Sequence, residues 1–259
     1  MDFKGKVVLI TGGSGDIGSG IAAGFKRRGA HVAIASSSQA KLDRASAALR
    51  DIGGGEVLAS RHDLKQPNAA QELVQEVVER FGRLDVLINC AGNFKRGSLI
   101  SLTNDDWVDG FNLMFFGAVR VTKAAWPHLI KSKGNVVTVS GIHGVTPHAG
   151  SAIGGTICAA LINFNKATAE LGLADGVRVN CVVPGWIESW RLDTRVEAIA
   201  QDRGITNESA KQAMQDELEI IRYGTPADVA ELVAFVASDR AGYIHGQAYI
   251  LDGGLTKSI

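Results

Sequence analysis

Glycine is concentrated in one short segment near the start of the chain. The segment reads Thr11, Gly12, Gly13, Ser14, Gly15, Asp16, Ile17 and Gly18. It follows an apolar run that predicts a β-strand and precedes residues with helical spacing, so we expect a strand-to-helix turn. Glycine lets the backbone N–H groups of such a turn reach a pyrophosphate at the positive end of the helix, with no side chain in the way. We therefore predict a dinucleotide-binding site at this turn.

Short apolar runs alternate with stretches of helical spacing along the whole chain. Seven runs predict strands, at about 6–11, 31–36, 56–62, 86–89, 135–140, 177–183 and 248–251. Between the first two, Ile17, Ile21 and Phe25 recur at helical spacing, which is the apolar stripe of a helix packed on a sheet. This alternation is typical of βαβ units and therefore of a parallel sheet with helices on both faces.

Several polar residues predict where helices begin and where the alternation stops. Thr103 and Thr225 each precede a helical stripe and can cap it, and Pro226 suits a first helical position. The segment 186–223 departs furthest from the alternation, and its polar helical stretches predict a lid or substrate loop. No linker or repeat divides the chain, so the predicted fold is a single α/β domain over 1–259, a three-layer sandwich with a seven-stranded parallel sheet.

Composition excludes several classes of protein. Lys plus Arg and Asp plus Glu both number 27, so no long-range basic field attracts nucleic acid or anionic lipid. The three cysteines, Cys90, Cys158 and Cys181, are odd in number and lack metal-ligand spacing, which indicates a reducing compartment and no metal site. No apolar run approaches the roughly 20 residues that span a bilayer. We expect a cytoplasmic protein with a small-molecule substrate and without nucleic-acid or membrane partners.

Three segments and one acidic residue together resemble one protein family. The turn at 11–18 resembles the TGxxxGxG fingerprint of the short-chain dehydrogenase/reductase family, whose members are single Rossmann domains. Residues 89–92 resemble its NNAG segment, 184–189 resemble its PGxxxT segment over the nicotinamide, and Asp63 matches the acid that contacts the adenine. The resemblance covers essentially the whole chain. It implies an oxidoreductase that transfers hydride between NAD(P)(H) and a small carbonyl or alcohol. The cofactor-binding residues that it implies are Gly12, Ser14, Gly15, Ile17, Gly18, Ser36, Ser37, Ser38, Asp63, Leu64, Asn89, Ala91, Gly92, Pro184, Gly185, Ile187 and Ser189.

Two positions of this predicted cofactor site depart from the family pattern. Asp16 replaces the middle glycine of the fingerprint, and its carboxylate would repel a pyrophosphate unless it turns outward to serve the helix N-terminus, which we favour. After the second strand, an acid would select NAD and an arginine NADP, but the chain has Ser36, Ser37 and Ser38. Their hydroxyls could bind a 2′-phosphate, which slightly favours NADP over NAD; alternatively, they cap the next helix.

The resemblance also reveals a gap in the proton-transfer machinery. Family members use a Tyr-xxx-Lys pair and an upstream serine, in which the tyrosine transfers the proton, the lysine lowers the tyrosine pKa and the serine orients the substrate oxygen. Aligned without gaps, this chain has Gly154 at the tyrosine position, Cys158 at the lysine position and Gly141 at the serine position. The sequence therefore predicts a member of the family that lacks the usual Ser-Tyr-Lys residues.

Three other residues are candidates for catalysis. Asn112 matches the active-site asparagine of the family and could polarise a substrate oxygen. His143 and His148 lie in the loop after the fifth strand, at the expected active-site edge, and histidine titrates near neutral pH. The alternative is that both histidines make only local hydrogen bonds. Cys158, on an alanine-rich helix, is interpreted as a small hydrophobe rather than a nucleophile.

Two hypotheses of different class remain open for the function. The first is an oxidoreductase with a non-standard active site, favoured by Asn112 and the 184–189 segment. The second is a catalytically silent dinucleotide-binding sensor or scaffold, favoured by the missing Ser-Tyr-Lys residues. In the substrate loop, Trp186, Trp190, Arg191 and Arg195 could bind an aromatic or carboxylate-bearing ligand, or simply form its surface. The thin helix at about 151–171 and the apolar helix from Trp107 suit helix pairing in a homodimer or homotetramer.

Overall fold

The computed structural model describes residues 2–257, which form seven strands and eight α-helices in regular alternation up to the sixth strand. The strands are β1 (Val7–Thr11), β2 (His31–Ser36), β3 (Val57–Arg61), β4 (Val86–Asn89), β5 (Asn135–Val139), β6 (Arg178–Pro184) and β7 (Ala248–Leu251). The helices are α1 (Asp16–Arg27), α2 (Gln39–Arg50), α3 (Ala69–Phe81), α4 (Asn104–Ser132), α5 (Ala152–Asp175), α6 (Trp190–Arg203), α7 (Asn207–Leu218) and α8 (Pro226–Ala237). The predicted strands are confirmed to within about two residues at each end.

All seven strands form one parallel sheet in the order β3-β2-β1-β4-β5-β6-β7. The central strands are buried on both faces, which explains their continuous apolar runs. One core, around Phe25 and Val233, lies under α1, α2 and α8, and the other, around Leu73 and Leu129, lies under α3, α4 and α5. The predicted three-layer α/β sandwich of Rossmann type is thus confirmed.

Helix starts follow the predicted capping residues. The Thr103 and Thr225 side chains accept the backbone N–H groups of Asp106 and Asp228, which in turn accept the threonine N–H groups. These reciprocal pairs are capping boxes, and each satisfies two backbone donors that the helix leaves free.

No helix within residues 2–257 has the length and apolar character needed to cross a membrane.

The segment 186–223 folds mainly as α6 and α7, which pack on each other around a small apolar cluster of their own. Met214 and Tyr223 belong to this cluster, and the Tyr223 hydroxyl donates to the carbonyl of Lys211 at 2.9 Å. Because all strands are parallel, their carboxyl ends share one edge of the sheet. The segment begins at this edge, directly after β6, together with the turns that follow β1, β4 and β5.

Candidate functional site

The glycine-rich turn has the close backbone packing that its sequence predicts. Gly12 has a positive φ of 66°, and a Cβ at this position would lie 2.7 Å from the Cα of Ala91. A Cβ at Gly18 would overlap the carbonyl group of Gly12. The buried Thr11 hydroxyl accepts the N–H groups of Cys90 and Ala91, at 3.0 and 3.2 Å. The turn after β1 and the segment after β4 are therefore held together as one backbone surface.

The N-terminus of α1 has backbone N–H groups that are available to bind an anion. The first helical hydrogen bond is donated by Ser19 to Gly15, so the N–H groups of residues 16–18 have no helical acceptor. Asp16 is exposed, and its Oδ2 accepts the N–H of Trp190, at the start of α6, at 3.0 Å. Its carboxylate thus turns outward, as expected, but it joins the turn to the segment 186–223. The turn keeps the open backbone surface that a pyrophosphate requires.

The serines after β2 confirm the capping role at one position only, Ser38. Ser38 caps α2, because its hydroxyl accepts the N–H of Lys41 at 3.5 Å, and Ser36 accepts the N–H of Ser38 at 3.3 Å. Ser37 is exposed, and its carbonyl accepts the Arg61 Nε–H at 3.3 Å. Arg61, which was not among the predicted site residues, is paired with Ser36 in the β2–β3 register. An arginine therefore lies beside the predicted position of the adenosine ribose.

Asn112 lies beside the loop after β3, on the predicted adenine side of the site. Its Oδ1 accepts from Arg120 at 2.9 Å, and its Nδ2 donates to the Lys65 carbonyl at 3.4 Å. Arg120 also donates to the carbonyl of Leu64 at 2.6 Å, while Asp63 accepts the Lys65 N–H at 3.1 Å. The structure thus groups Asn112 with Asp63 and Leu64, and neither histidine is among its hydrogen-bond partners within residues 2–257.

The segments after β4 and β6 complete this edge. The Asn89 side chain is buried, its Nδ2 donates to Thr122 at 2.9 Å, and its Oδ1 has no partner within residues 2–257. Met114 is the side chain that faces Gly92, with its Cε 3.2 Å from a Cβ built there.

Pro184 ends β6, and the N–H of Gly185 donates to the Leu251 carbonyl at 2.9 Å. The buried Ile187 bridges to the residue that precedes the α8 cap, and the Ser189 hydroxyl donates to the Ile187 carbonyl at 3.0 Å.

Phe94 fills the space above Gly154. A Cβ at Gly154 would overlap the ring atoms Cζ, Cε2 and Cε1 of Phe94, the last at 2.8 Å. Cys158 Sγ lies 3.2 Å from a Cβ built at Gly141, so this pair is also adjacent. Burial raises the pKa of the Cys158 thiol, which argues against a thiolate nucleophile. The Ser140 hydroxyl is engaged, because it donates to the Cys158 carbonyl at 2.9 Å.

The two histidines are neighbours on a turn packed against α5. Their ring centroids are 5.5 Å apart, and the His143 ring lies 6.1 Å from that of Trp186. His143 Nδ1 is 3.3 Å from the Thr146 carbonyl, which can only accept, so Nδ1 carries the proton and Nε2 keeps a free lone pair. Burial lowers the His143 pKa below its ordinary value of 6.5, and His148 and Arg96 lower it further. His148 is exposed, and its Nδ1 accepts the Gly150 N–H at 3.1 Å.

Comparison with known proteins gives the family. A family model described as enoyl-(acyl carrier protein) reductase matches residues 13–256. Meso-2,3-butanediol dehydrogenase of Serratia marcescens is 31% identical, over 100% of this chain and 97% of its own length. The 3-oxoacyl-[acyl-carrier-protein] reductase of Thermotoga maritima is 31% identical, over 98% of this chain and 99% of its own. Among solved structures, L-sorbose reductase from Gluconobacter frateurii, complexed with NADPH and L-sorbose, superposes with a TM-score of 0.95 at 31% identity, covering 100% of both chains.

The fold and the glycine turn define a single-domain protein of Rossmann type, and the relatives above identify its family. The chain belongs to the short-chain dehydrogenase/reductase family. The resemblance inferred from the motifs is therefore confirmed at the level of the family.

Proposed function

We propose that the chain binds NADP(H), or less tightly NAD(H), and transfers hydride between this dinucleotide and a small carbonyl or alcohol. The main support is the backbone surface at the carboxyl edge, where Thr11 joins the glycine turn to the segment after β4. When bound, the dinucleotide supplies or accepts the hydride. In the reducing direction, the carbonyl carbon gains a hydride and its oxygen gains a proton, giving the alcohol and the oxidised dinucleotide. L-Sorbose reductase, complexed with NADPH, is similar over its full length.

The proposed active site is non-standard, because Gly141, Gly154 and Cys158 occupy the positions of the family's serine, tyrosine and lysine. We assign the proton to His143, whose Nε2 has no hydrogen-bond partner among residues 2–257 and whose carbonyl lies 2.9 Å from a Cβ built at Gly155, the neighbour of Gly154. Neutral His143 can take a proton from an alcohol. Reduction needs its imidazolium form, which the lowered pKa makes a minority at neutral pH. His148 lies beside this ring, with the two ring centroids 5.5 Å apart. Asn112 positions the loop that carries Asp63, through its hydrogen bond to the Lys65 carbonyl.

The preference for NADP rests on Arg61 as well as on the serines. Its guanidinium lies at the carbonyl of Ser37, where the family binds the adenosine ribose. A guanidinium beside a 2′-phosphate makes a charge-assisted hydrogen bond, which is stronger than one from a hydroxyl. The remaining predicted contacts, made by Ser14, Ile17, Ala91 and the 184–189 segment, are part of this proposal.

Titration calorimetry followed by a turnover assay tests the proposal. The wild-type chain should bind NADPH at least as tightly as NADH, and it should then reduce a carbonyl substrate slowly. Absence of binding by either nucleotide would overturn the proposal at its first step.

A second candidate function is a dinucleotide-binding sensor or scaffold without redox chemistry. The Phe94 ring favours it, because this ring occupies the space that a tyrosine at position 154 would need. Tight NADPH binding with no hydride transfer to any carbonyl, at any pH between 5 and 9, would establish this function instead.

Assembly and location belong to the same proposal. The helices α4 and α5 carry exposed apolar side chains, at Val108, Phe116, Leu171 and Leu173, which suit a homodimer or homotetramer. The small residues of α5 pack against side chains and backbone of the same chain, Gly154 against the Phe94 ring and Gly155 against His143. A monomeric mass in light scattering would refute the assembly. The cytoplasmic location still rests on the cysteine count.

A further inference from the structure

Three arginines meet at the mouth of the proposed active site. Arg191 and Arg195 come from the first turns of α6, and Arg96 comes from the segment after β4, so distant parts of the chain build this arginine cluster. Two of the guanidinium groups lie over aromatic rings. Arg191 Cζ is 5.2 Å from the centroid of Phe94, and Arg96 Cζ is 5.8 Å from that of Trp186. The aromatic faces give these two cations a defined orientation.

The arginine cluster has no close ion pair within residues 2–257, although Glu217 attracts Arg195 from a distance. Among residues 2–257, no carboxylate lies within 4.0 Å of any of the three. Arg191 donates instead to the carbonyl of Gly92 at 2.8 Å. Desolvation lowers the pKa of the half-buried Arg191 and, near the surface, that of Arg96, and a neighbouring arginine lowers each further, Arg96 acting on Arg191 and Arg195 on Arg96. Asp16 attracts Arg191 from a distance, but its Oδ2 already accepts a backbone N–H of α6.

Like charges without a close carboxylate partner repel one another, and the cost is greatest for Arg191, which is half-buried, whereas Arg96 and Arg195 are exposed. If these arginines only docked α6 onto the protein, neutral side chains of similar length would serve that purpose without mutual repulsion. An anion in the cluster would remove the repulsion and satisfy the free guanidinium donors, which suit carboxylate or phosphate oxygens. The arrangement therefore favours a bound anion over a purely structural role.

The position of the cluster indicates which molecule carries the anion. Arg191 reaches Gly92, and the Phe94 ring beneath it covers Gly154, where the family has its proton donor. We propose that the arginine cluster binds an anionic group of the substrate, so that the preferred substrates are carbonyl compounds or alcohols that bear a carboxylate or a phosphate. This inference rests on the proposed function. The anionic group itself is unchanged by the reaction and only holds the substrate at the reacting end.

Binding of matched ligand pairs tests the inference without relying on turnover. NADP⁺-loaded protein is titrated in a calorimeter with levulinate and its neutral amide, levulinamide, and with dihydroxyacetone phosphate and dihydroxyacetone. We expect the anionic member of at least one pair to bind roughly 10- to 100-fold tighter, as a charged hydrogen bond supplies. The pair that shows the preference identifies carboxylate or phosphate.

Three variants locate the effect. In Arg191→Gln, and separately in Arg96→Gln, the preference for the anion should fall about tenfold or more, while NADP⁺ affinity stays unchanged. Arg27→Gln is the control, because it removes the same charge from an exposed position at the far end of α1. Having two cluster variants keeps the test decisive if one of them fails to fold.

Two results would overturn the inference. One is equal binding of the charged and neutral members of both pairs by the wild type. The other is a loss of NADP⁺ affinity in Arg191→Gln with an unchanged preference for the anion, which would assign the arginine to the cofactor phosphates. An intact preference in a protein that never transfers hydride would support the anion site while refuting the proposed function.

Discussion

The two ends of the proposed site differ in whether backbone groups or side chains would contact the ligand. The nucleotide end, formed by the turn at 11–18 and the segment at 89–92, relies on backbone groups, held by Thr11 and by glycines that leave no room for a Cβ. The proton-transfer end, which we propose lies at Gly141, Gly154 and Cys158, would rely on side chains, and under this proposal the usual ones are absent. A backbone surface tolerates substitution of nearby side chains, whereas a catalytic side chain is lost in one substitution. Binding and chemistry can therefore separate within one fold.

The largest expected effect comes from rebuilding the proton-transfer end. Gly141→Ser, Gly154→Tyr and Cys158→Lys should not be sufficient, because the new tyrosine would overlap Phe94. Adding Phe94→Ala should raise the carbonyl reduction rate by about 10²–10⁴-fold, which is what a positioned general acid supplies. Initial rates with NADPH and levulinate compare the triple and quadruple variants, and near-ultraviolet circular dichroism controls for folding. Equal activities would show that Phe94 does not occupy the space needed by the tyrosine.

A second substitution should break the nucleotide end alone. In Gly18→Ala the new Cβ would overlap the Gly12 carbonyl group, so the turn must open and its N–H groups must move. We expect NADPH affinity to fall about 100-fold, equivalent to roughly 2.7 kcal/mol. Gly53→Ala is the matched control, because a Cβ there meets nothing within 4 Å. Wild-type affinity in a folded Gly18→Ala protein would remove the turn from the proposed cofactor site.

A smaller effect sharpens the choice of nucleotide. Arg61→Gln should lower the ratio of NADPH to NADH affinity about tenfold, since it removes one charge-assisted hydrogen bond, worth about 1.5 kcal/mol, to the 2′-phosphate. Arg50→Gln, in the last turn of α2, is the control. If the ratio falls equally in both variants, the effect is one of overall charge, and Arg61 has no specific role.

The smallest effect concerns pH. Because the pKa of His143 lies below 6.5, its imidazolium form grows as pH falls through that pKa, so reduction should accelerate from pH 8 to pH 5.5. Alcohol oxidation, which needs the neutral ring, should slow over the same range. His143→Gln should flatten both profiles, whereas His148→Gln should shift them only slightly. Profiles that persist in His143→Gln would assign the proton to another group.

Parts of the molecule that depend on local sequence were predictable. The strands follow from buried apolar runs, and the starts of α4 and α8 follow from the capping residues Thr103 and Thr225. The glycine turn was predictable because its chemistry lies in the backbone. The proximity of Arg61 to Ser36 was predictable as well, since strand register alone pairs these two residues.

Contacts between distant side chains were not predictable in this way. Nothing local to Phe94 indicates that its ring covers Gly154, because that contact depends on how the segment after β4 packs on α5. The hydrogen bonds of Asn112 depend equally on Arg120 and on the loop after β3. The expected polarising role of Asn112 was based on its place in a motif, which does not specify the direction of a side chain.

We propose that this chain binds the dinucleotide normally but lacks the usual proton donor. Single-turnover oxidation of bound NADPH by levulinate, followed by nucleotide fluorescence in the wild type and in the quadruple variant, tests it most directly. Under this proposal we expect saturable NADPH binding by both proteins, with oxidation about 10²–10⁴-fold slower in the wild type and faster at lower pH. Failure of the wild type to bind NADPH, or equally fast and pH-independent oxidation by both proteins, would contradict it.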